Sequence, residues 1–273
     1  MKLSLSVRIA ESFHSKTTSE MSIEELIDTA TSIGFSALCM RASQAGIETP
    51  RDVSEGIAQK IANAGLKVSM ITGDVYVPQN DEHGPDGLRN ITPFLDLAEL
   101  FGSDLIRICM KQEEDIEFAQ RASDEAHERG IRLAHQSHFG SLFETVDQSH
   151  DVLKRVGREN FGLIYEAANW FVCREDYLAA IETLAPWIFN VYVQNHTLNE
   201  SGADVVETWK FGQVGLDHIG IWDSGGVDGD AVFSKLREVG YEGYVTVHQA
   251  FGGVMAPVDA ARRTFEYLQP RVT

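Results

Sequence analysis

Short apolar, β-branched runs recur along the chain, each followed by a stretch whose apolar residues return every three or four positions. The first pattern fits strands, whose side chains alternate between two faces; the second fits helices with one buried side. Strand runs fall at residues 3–9, 37–40, 67–71, 105–109, 131–136, 162–166, 189–194 and 244–248. Strands alternating with helices predict a parallel sheet, and eight of them are the number that closes a barrel. The expected fold class is therefore α/β, a (β/α)8 TIM barrel forming one domain over residues 1–273.

Helix boundaries support this reading. Ser22 and Glu25 stand in the spacing of a capping box, with Ile23, Leu26, Ile27 and Ala30 on one face before Gly34. Thr49 precedes Pro50 as an expected cap, and Gly65 closes that helix. Ile116, Ala119, Ala122 and Ala126 mark another helix ending at Gly130. Val232, Phe233, Leu236 and Val239 mark the last one between strands, stopped by Gly240. Two connections are longer than a compact barrel requires, residues 73–87 after the third strand and 196–226 after the seventh. Both lie where strands end, the face on which barrels build their sites.

Charge narrows the partners. The 273 residues carry 41 Asp and Glu against 23 Lys and Arg, a formal net charge of −18. Such a surface repels phosphate backbones and anionic membranes, so nucleic acid and membrane are not expected partners. No run reaches the roughly 18 to 20 apolar residues of a membrane span. The N-terminal stretch, with Arg8 and Glu11 inside it, reads as a first strand rather than a signal peptide. Cys39, Cys109 and Cys173 are odd in number and far apart, which fits a reducing, cytoplasmic setting.

Polar residues collected at strand ends are the candidate chemistry. In chain order they are Arg8 and Glu11, Arg41, Asp74, Arg107 and Lys111, then His135, Gln136 and His138, Glu166 and Asn169, Tyr192, Gln194, Asn195 and His196, and finally His248 and Gln249. Alternation puts Gln136 with His138 on one face, and Tyr192 with Gln194. One carboxylate, two amide oxygens and one or two imidazoles can hold a divalent ion; oxygen favours Mn²⁺ or Mg²⁺, while imidazole also admits Zn²⁺ or Co²⁺. The plain alternatives are a salt bridge from Glu166 to Arg41 or Arg107 and a backbone hydrogen bond from His248. Tyr192, Trp170 and Phe251 read first as walls. His14, His83, His127, His150 and His218 fall in helices or loops and carry no functional weight.

The stretch GGVDGDAVFSKLREVGYEGYVTVHQAF, with HQSH, YEAAN and VYVQNH at earlier strand ends, resembles the sugar isomerase/epimerase-like proteins of the xylose-isomerase-like superfamily over essentially the whole chain. The resemblance implies a metal site. Its fifth-strand Glu corresponds to Gln136, its sixth-strand acid to Glu166, and a following His to Asn169. Its seventh-strand His or Gln corresponds to Gln194 or, in another register, to Tyr192, and its final Glu to His248. His138 matches a His two residues beyond the fifth-strand acid.

The implied enzyme is an isomerase or epimerase acting on a keto-sugar or polyol through proton abstraction and an enediolate. Gln136, Glu166, Gln194 and His248 would hold a divalent metal, with Mn²⁺ favoured and Mg²⁺, Zn²⁺ or Co²⁺ admitted. His138 and His248 would be acid/base groups. Arg41, Arg107 and Lys111 would orient hydroxyls or a phosphate, with Asn169, Tyr192 and His196 also touching substrate. The implied partner is a sugar or sugar derivative, and a homo-oligomer is compatible with the sequence. Gln136 and His248 stand where the epimerase pattern has two carboxylates, and glutamine cannot act as a base. That departure keeps open a carbon–oxygen or C-glycoside lyase, or a barrel that only binds sugar.

Overall fold

The computed structural model describes residues 1–11, 16–251 and 254–273; His14 lies outside them. Eight parallel strands close into a barrel: β1 (Lys2–Ser6), β2 (Ala37–Arg41), β3 (Lys67–Thr72), β4 (Leu105–Ile108), β5 (Arg132–Gln136), β6 (Phe161–Tyr165), β7 (Ile188–Val193) and, last in the chain, β11 (Tyr244–Val247). Closure comes from β1 lying parallel to β11, with Lys2 opposite Tyr244 and Leu5 opposite Val247. Each predicted strand is present to within a few residues. The first is shortest against expectation. It stops at Ser6, whose side chain accepts from the Arg8 amide, and residues 7–10 form a 3-10 turn that swings Arg8 and Glu11 over the barrel mouth.

Helices wrap the outside: α1 (Ile23–Ile33), α2 (Arg51–Asn63), two single turns α3 (Tyr76–Gln79) and α4 (Asp86–Arg89), α5 (Thr92–Phe101), α6 (Asp115–Glu128), α7 (Val146–Val156), α8 (Ala167–Val172), α9 (Tyr177–Leu184), α10 (Gly229–Glu238) and α11 (Pro257–Val272). The Ser22–Glu25 capping box forms as read, and Gly34 takes the left-handed conformation that ends α1. Thr49 does not cap α2. Its hydroxyl accepts from the Gly46 amide, three residues back, so the helix begins after Pro50 without a side-chain cap. No helix among the described residues is long and apolar enough to cross a membrane.

The barrel interior is filled, not open. Cys39, Met70, Leu105, Ala134, Ile164 and Tyr192 pack as a buried plug between the strands, and a second, larger apolar cluster joins strands to helices. Buried polar pairs also lie lower in the strands, Ser4 with Ser69 and Thr246 with Asn190, while the charged side chains gather above the plug.

The long connection after β7 is an antiparallel sheet rather than an irregular loop. It comprises β8 (Asn195–Leu198), β9 (Asp204–Thr208) and β10 (Gly212–Ile219), paired in the order β8–β10–β9. Alternation explains it: Val206, Val214 and Leu216 face inward onto Val172 and Phe139. Glu144, buried between α7 and the end of β5, clamps this flap. Its carboxylate accepts from the amides of Trp209 (2.8 Å), Lys210 (2.8 Å) and Gly140 (2.7 Å). Replacing Glu144 by Ala leaves three amides to find other partners. It should lower unfolding free energy by about 1–3 kcal/mol and speed amide exchange at Trp209 and Lys210, as measured by hydrogen–deuterium exchange. Unchanged exchange there would show that the clamp does not hold the flap.

Candidate active site

The flap roofs a cavity of about 290 Å³ at the C-terminal ends of the barrel strands. A larger cleft of 670 Å³ lies outside β2 and β3. Its polar residues Glu48, His83 and Asp86 are exposed, and Asp74 there accepts from the amides of Tyr76 and Val77. Among the described residues that cleft gathers no buried unpartnered group, whereas the smaller cavity does. Asp74 is accordingly set apart from the other strand-end residues.

The cavity has two unlike halves. On the side of β5, β6, β7 and β11 stand Gln136, His138, Asn169, Gln194 and His248, with Glu166 completely buried among them. Glu166 forms no salt bridge to Arg41 or Arg107. One carboxylate oxygen accepts from the amide of Gln136 and from that of Asn169 (2.7 Å), which α8 aims back by starting immediately after Glu166. The same Asn169 amide donates to the Ser137 carbonyl (2.8 Å), and the Glu166 amide donates to the Ser137 hydroxyl (2.9 Å), locking the two strand ends together. Burial pushes the Glu166 carboxyl up to about 7, against the hydrogen bond from Gln136 and the guanidiniums of Arg107 and Arg8, which lower it.

Two imidazoles flank this group. His138 donates from Nδ1 to the Phe139 carbonyl (2.7 Å), so its Nε2 carries the free lone pair. His248 lies flat on the Tyr192 ring, centroids 3.8 Å apart, and its Nδ1 is buried without a partner. Burial, then the neighbouring arginines, hold both imidazoles well below the ordinary 6.5, so both are neutral at neutral pH.

On the side of β1, β2 and β4 the lining is cationic: Arg8, Lys16, Arg41 and Arg107. Glu11 accepts from Arg41 Nε (2.8 Å), Arg8 Nη1 (3.4 Å) and the Ser43 hydroxyl (2.7 Å). Lys16 reaches the Pro78 carbonyl (2.8 Å). Burial first, then Arg8, Arg41 and Arg107, bring its ammonium down to about 6.

Several predicted residues are placed otherwise. Tyr192 sits one layer below Gln194, under His248, with its hydroxyl at Cys39 Sγ (3.6 Å); Gln194 lines the cavity and Tyr192 does not. Lys111 turns away and donates to the Asn80 carbonyl (2.6 Å). His135 faces outward, stacked on Phe143. His196 arrives on the flap together with His218, their rings edge to face at 4.5 Å. His218 carried no weight in the sequence because its segment read as loop; β10 brings it to the lining. Lys16 was also missed, since it lies in no strand or helix pattern.

Three buried donor atoms on the first half lack partners among the described residues: Gln136 Oε1, Glu166 Oε1 and His248 Nδ1. Two oxygens and one imidazole nitrogen fit a divalent ion of the Mg²⁺ or Mn²⁺ kind. Among the described residues no three His, Cys, Asp or Glu side chains gather as a metal cluster. An ion there would thus lean on one amide oxygen, one carboxylate oxygen and one imidazole nitrogen.

A family model described as xylose isomerase-like TIM barrel matches residues 27–271. The chain belongs to that family. No curated protein matches the chain. Solved structures similar to this xylose isomerase-like barrel include the probable 3-DHS dehydratase AsbF of Bacillus anthracis, at 15% identity over 98% of this chain and 99% of that one, TM-score 0.73. An L-ribulose 3-epimerase is similar at 14% identity over 99% and 94%, TM-score 0.73. A xylose isomerase-like TIM barrel protein from Mycobacterium smegmatis, solved in complex with magnesium, is similar at 14% identity over 100% and 98%, TM-score 0.70. At such identities the likeness is one of fold.

The raised Glu166 carboxyl has a consequence for stability. Its folded value lies above the ordinary 4.5, so it favours folding at low pH, and that contribution is lost as pH rises through about 7. With chelator present, Glu166→Gln should therefore melt increasingly above the wild type as pH is raised from 4.5 to 7. A melting difference that is flat over this window would show that Glu166 is not a protonated, desolvated acid.

Proposed function

We propose that this xylose isomerase-like barrel is an enzyme that removes a proton next to the carbonyl of a keto-sugar or related polyol derivative, an isomerase or epimerase. The observation carrying this reading is His138. Its Nδ1 is tied to a carbonyl, which leaves a neutral Nε2 as proton acceptor in a cavity that also presents Glu166 and Gln136. The proton taken by His138 would be returned to the neighbouring carbon by the same imidazole, with His248 as the second acid/base candidate in the cavity. Asn169 holds the Glu166 carboxylate in one orientation. Arg41, Arg107, Asn169 and His196 would contact substrate, and the flap residues Val206 and Leu216 exclude water above it.

Gln136, Glu166, Gln194 and His248 are the residues that would hold a divalent ion, with Mn²⁺ favoured. When bound, such an ion supplies Lewis-acid polarisation of a carbonyl oxygen. A neighbour solved with magnesium supports this reading.

A second reading is favoured by Gln136 itself. An epimerase of the two-carboxylate kind needs a proton acceptor there, and an amide is none. Proton removal by His138 followed by loss of a leaving group, a lyase reaction on a 3-oxo-sugar, requires only one base, because the imidazolium formed on His138 can pass the same proton to the leaving group.

Freshly purified protein should hold near-stoichiometric divalent metal by elemental analysis, and Glu166→Ala should lack it. With keto-sugars in deuterated water, the wild type should exchange the proton next to the carbonyl, and His138→Ala should be slower by about 100- to 10,000-fold. Isomerised sugar against an eliminated fragment, separated by mass spectrometry, decides between the two readings. Negligible metal together with no exchange on any keto-sugar would overturn both.

A further inference from the structure

The cationic half of the cavity is out of balance with its counter-charges. Arg8, Arg41, Arg107 and Lys16 all line it, and Glu11 is the carboxylate that pairs with them, through Arg8 and Arg41. Glu11 uses only the Nε edge of Arg41. Both terminal nitrogens, Nη1 and Nη2, are fully buried with no partner among the described residues, and the residue is 1% exposed. Arg107, two strands along on the same side, is similarly incomplete. Its Nε is buried and unpartnered, and one Nη reaches only the Val77 carbonyl at 3.4 Å.

Leaving five-donor guanidiniums buried with open N–H groups is costly. Parallel N–H groups on a planar fork match the paired oxygens of a carboxylate or phosphoryl group. Phe139, Pro78, Val206 and Leu216 line the space, and their apolar surface strengthens any charge-assisted bond made there. Burial first, then the three arginines, lower the Lys16 ammonium beside them.

We infer that Arg41 and Arg107, with Arg8 and Lys16 beside them, seat an oxyanion carried by the substrate, which is a sugar acid or sugar phosphate of about monosaccharide size rather than a neutral sugar. This rests on the reading of the roofed cavity as the substrate site. It places the anion against β2 and β4 and the reacting carbonyl against β5 and β6, so the two ends of the molecule are held by different halves of the bowl.

The test is titration calorimetry of the full chain, in chelator and low salt, with three probes: inorganic phosphate, D-gluconate and neutral sorbitol. Arg107 is the residue to vary, because it has no carboxylate that its removal would strand. The wild type should bind at least one anion saturably and sorbitol about tenfold or more weaker. Arg107→Met should weaken the anion by about 10- to 100-fold, the loss of one or two charge-assisted bonds. Phosphate alone binding assigns a phosphoryl group, and gluconate alone a carboxylate. If Arg107→Met does not fold, Arg107→Lys should fold and show a smaller loss of the same sign. The inference is overturned if neither anion saturates the wild type, or if a folded Arg107 variant binds both as the wild type does. Anion binding without carbon-bound proton exchange would sink the enolising reading and leave the oxyanion seat. Exchange on neutral keto-sugars without anion binding would do the reverse.

Discussion

Parallel pairing of residues 2–5 with 244–247 is the constraint on which everything else hangs. Once the first and last barrel strands are neighbours, all eight C-terminal ends open into one space about the size of a small molecule. Residues from distant parts of the chain, such as Arg41, Gln136 and His248, then share a cavity without any loop having to bring them there. The plug of Tyr192, Met70 and Ile164 beneath them gives the bowl a dry floor. Over that floor each buried polar group must find a partner in the protein or in a ligand.

The two halves of the bowl meet this requirement differently. On the β5–β6 side, Glu166 satisfies one oxygen through two amides, and its own backbone amide is taken up by Ser137. Burial, working against the Gln136 amide, pushes this carboxyl up to about 7. On the β1–β2–β4 side, Glu11 divides itself between two guanidiniums and leaves Nη1 and Nη2 of Arg41 without a partner among the described residues. The first arrangement positions a group, whereas the second leaves room for a visitor.

Legibility from the sequence followed the same physics. Strand runs, glycine stops and the Ser22–Glu25 box were readable because local periodicity and capping decide them, and the barrel class followed from their number. Residues at strand ends, among them Arg41, Gln136, Glu166 and His248, were found because alternation on a strand fixes which way they point. What escaped depended on tertiary pairing. Val206 and Leu216 read as loop until β9 and β10 paired, and His218 came with them. Lys111 occupies a strand end in sequence, yet the Asn80 carbonyl captures it. Thr49 sits one residue before Pro50 but spends its hydroxyl on Gly46. Lys16 belongs to no periodic element, and only its approach to Pro78 brings it to the cavity.

The exterior and the interior of this molecule carry opposite electrical characters. A chain of formal charge −18 presents a repulsive halo to any anion at a distance, while the guanidiniums attract it once it is beneath the flap. Salt acts on these two zones unequally, because screening is effective in solvent and weak in a covered cavity. Dissolved ions thus lower the outer barrier more than they weaken the inner grip. For an anionic visitor, entry is therefore expected to quicken as salt rises, the inverse of the usual steering of oppositely charged partners.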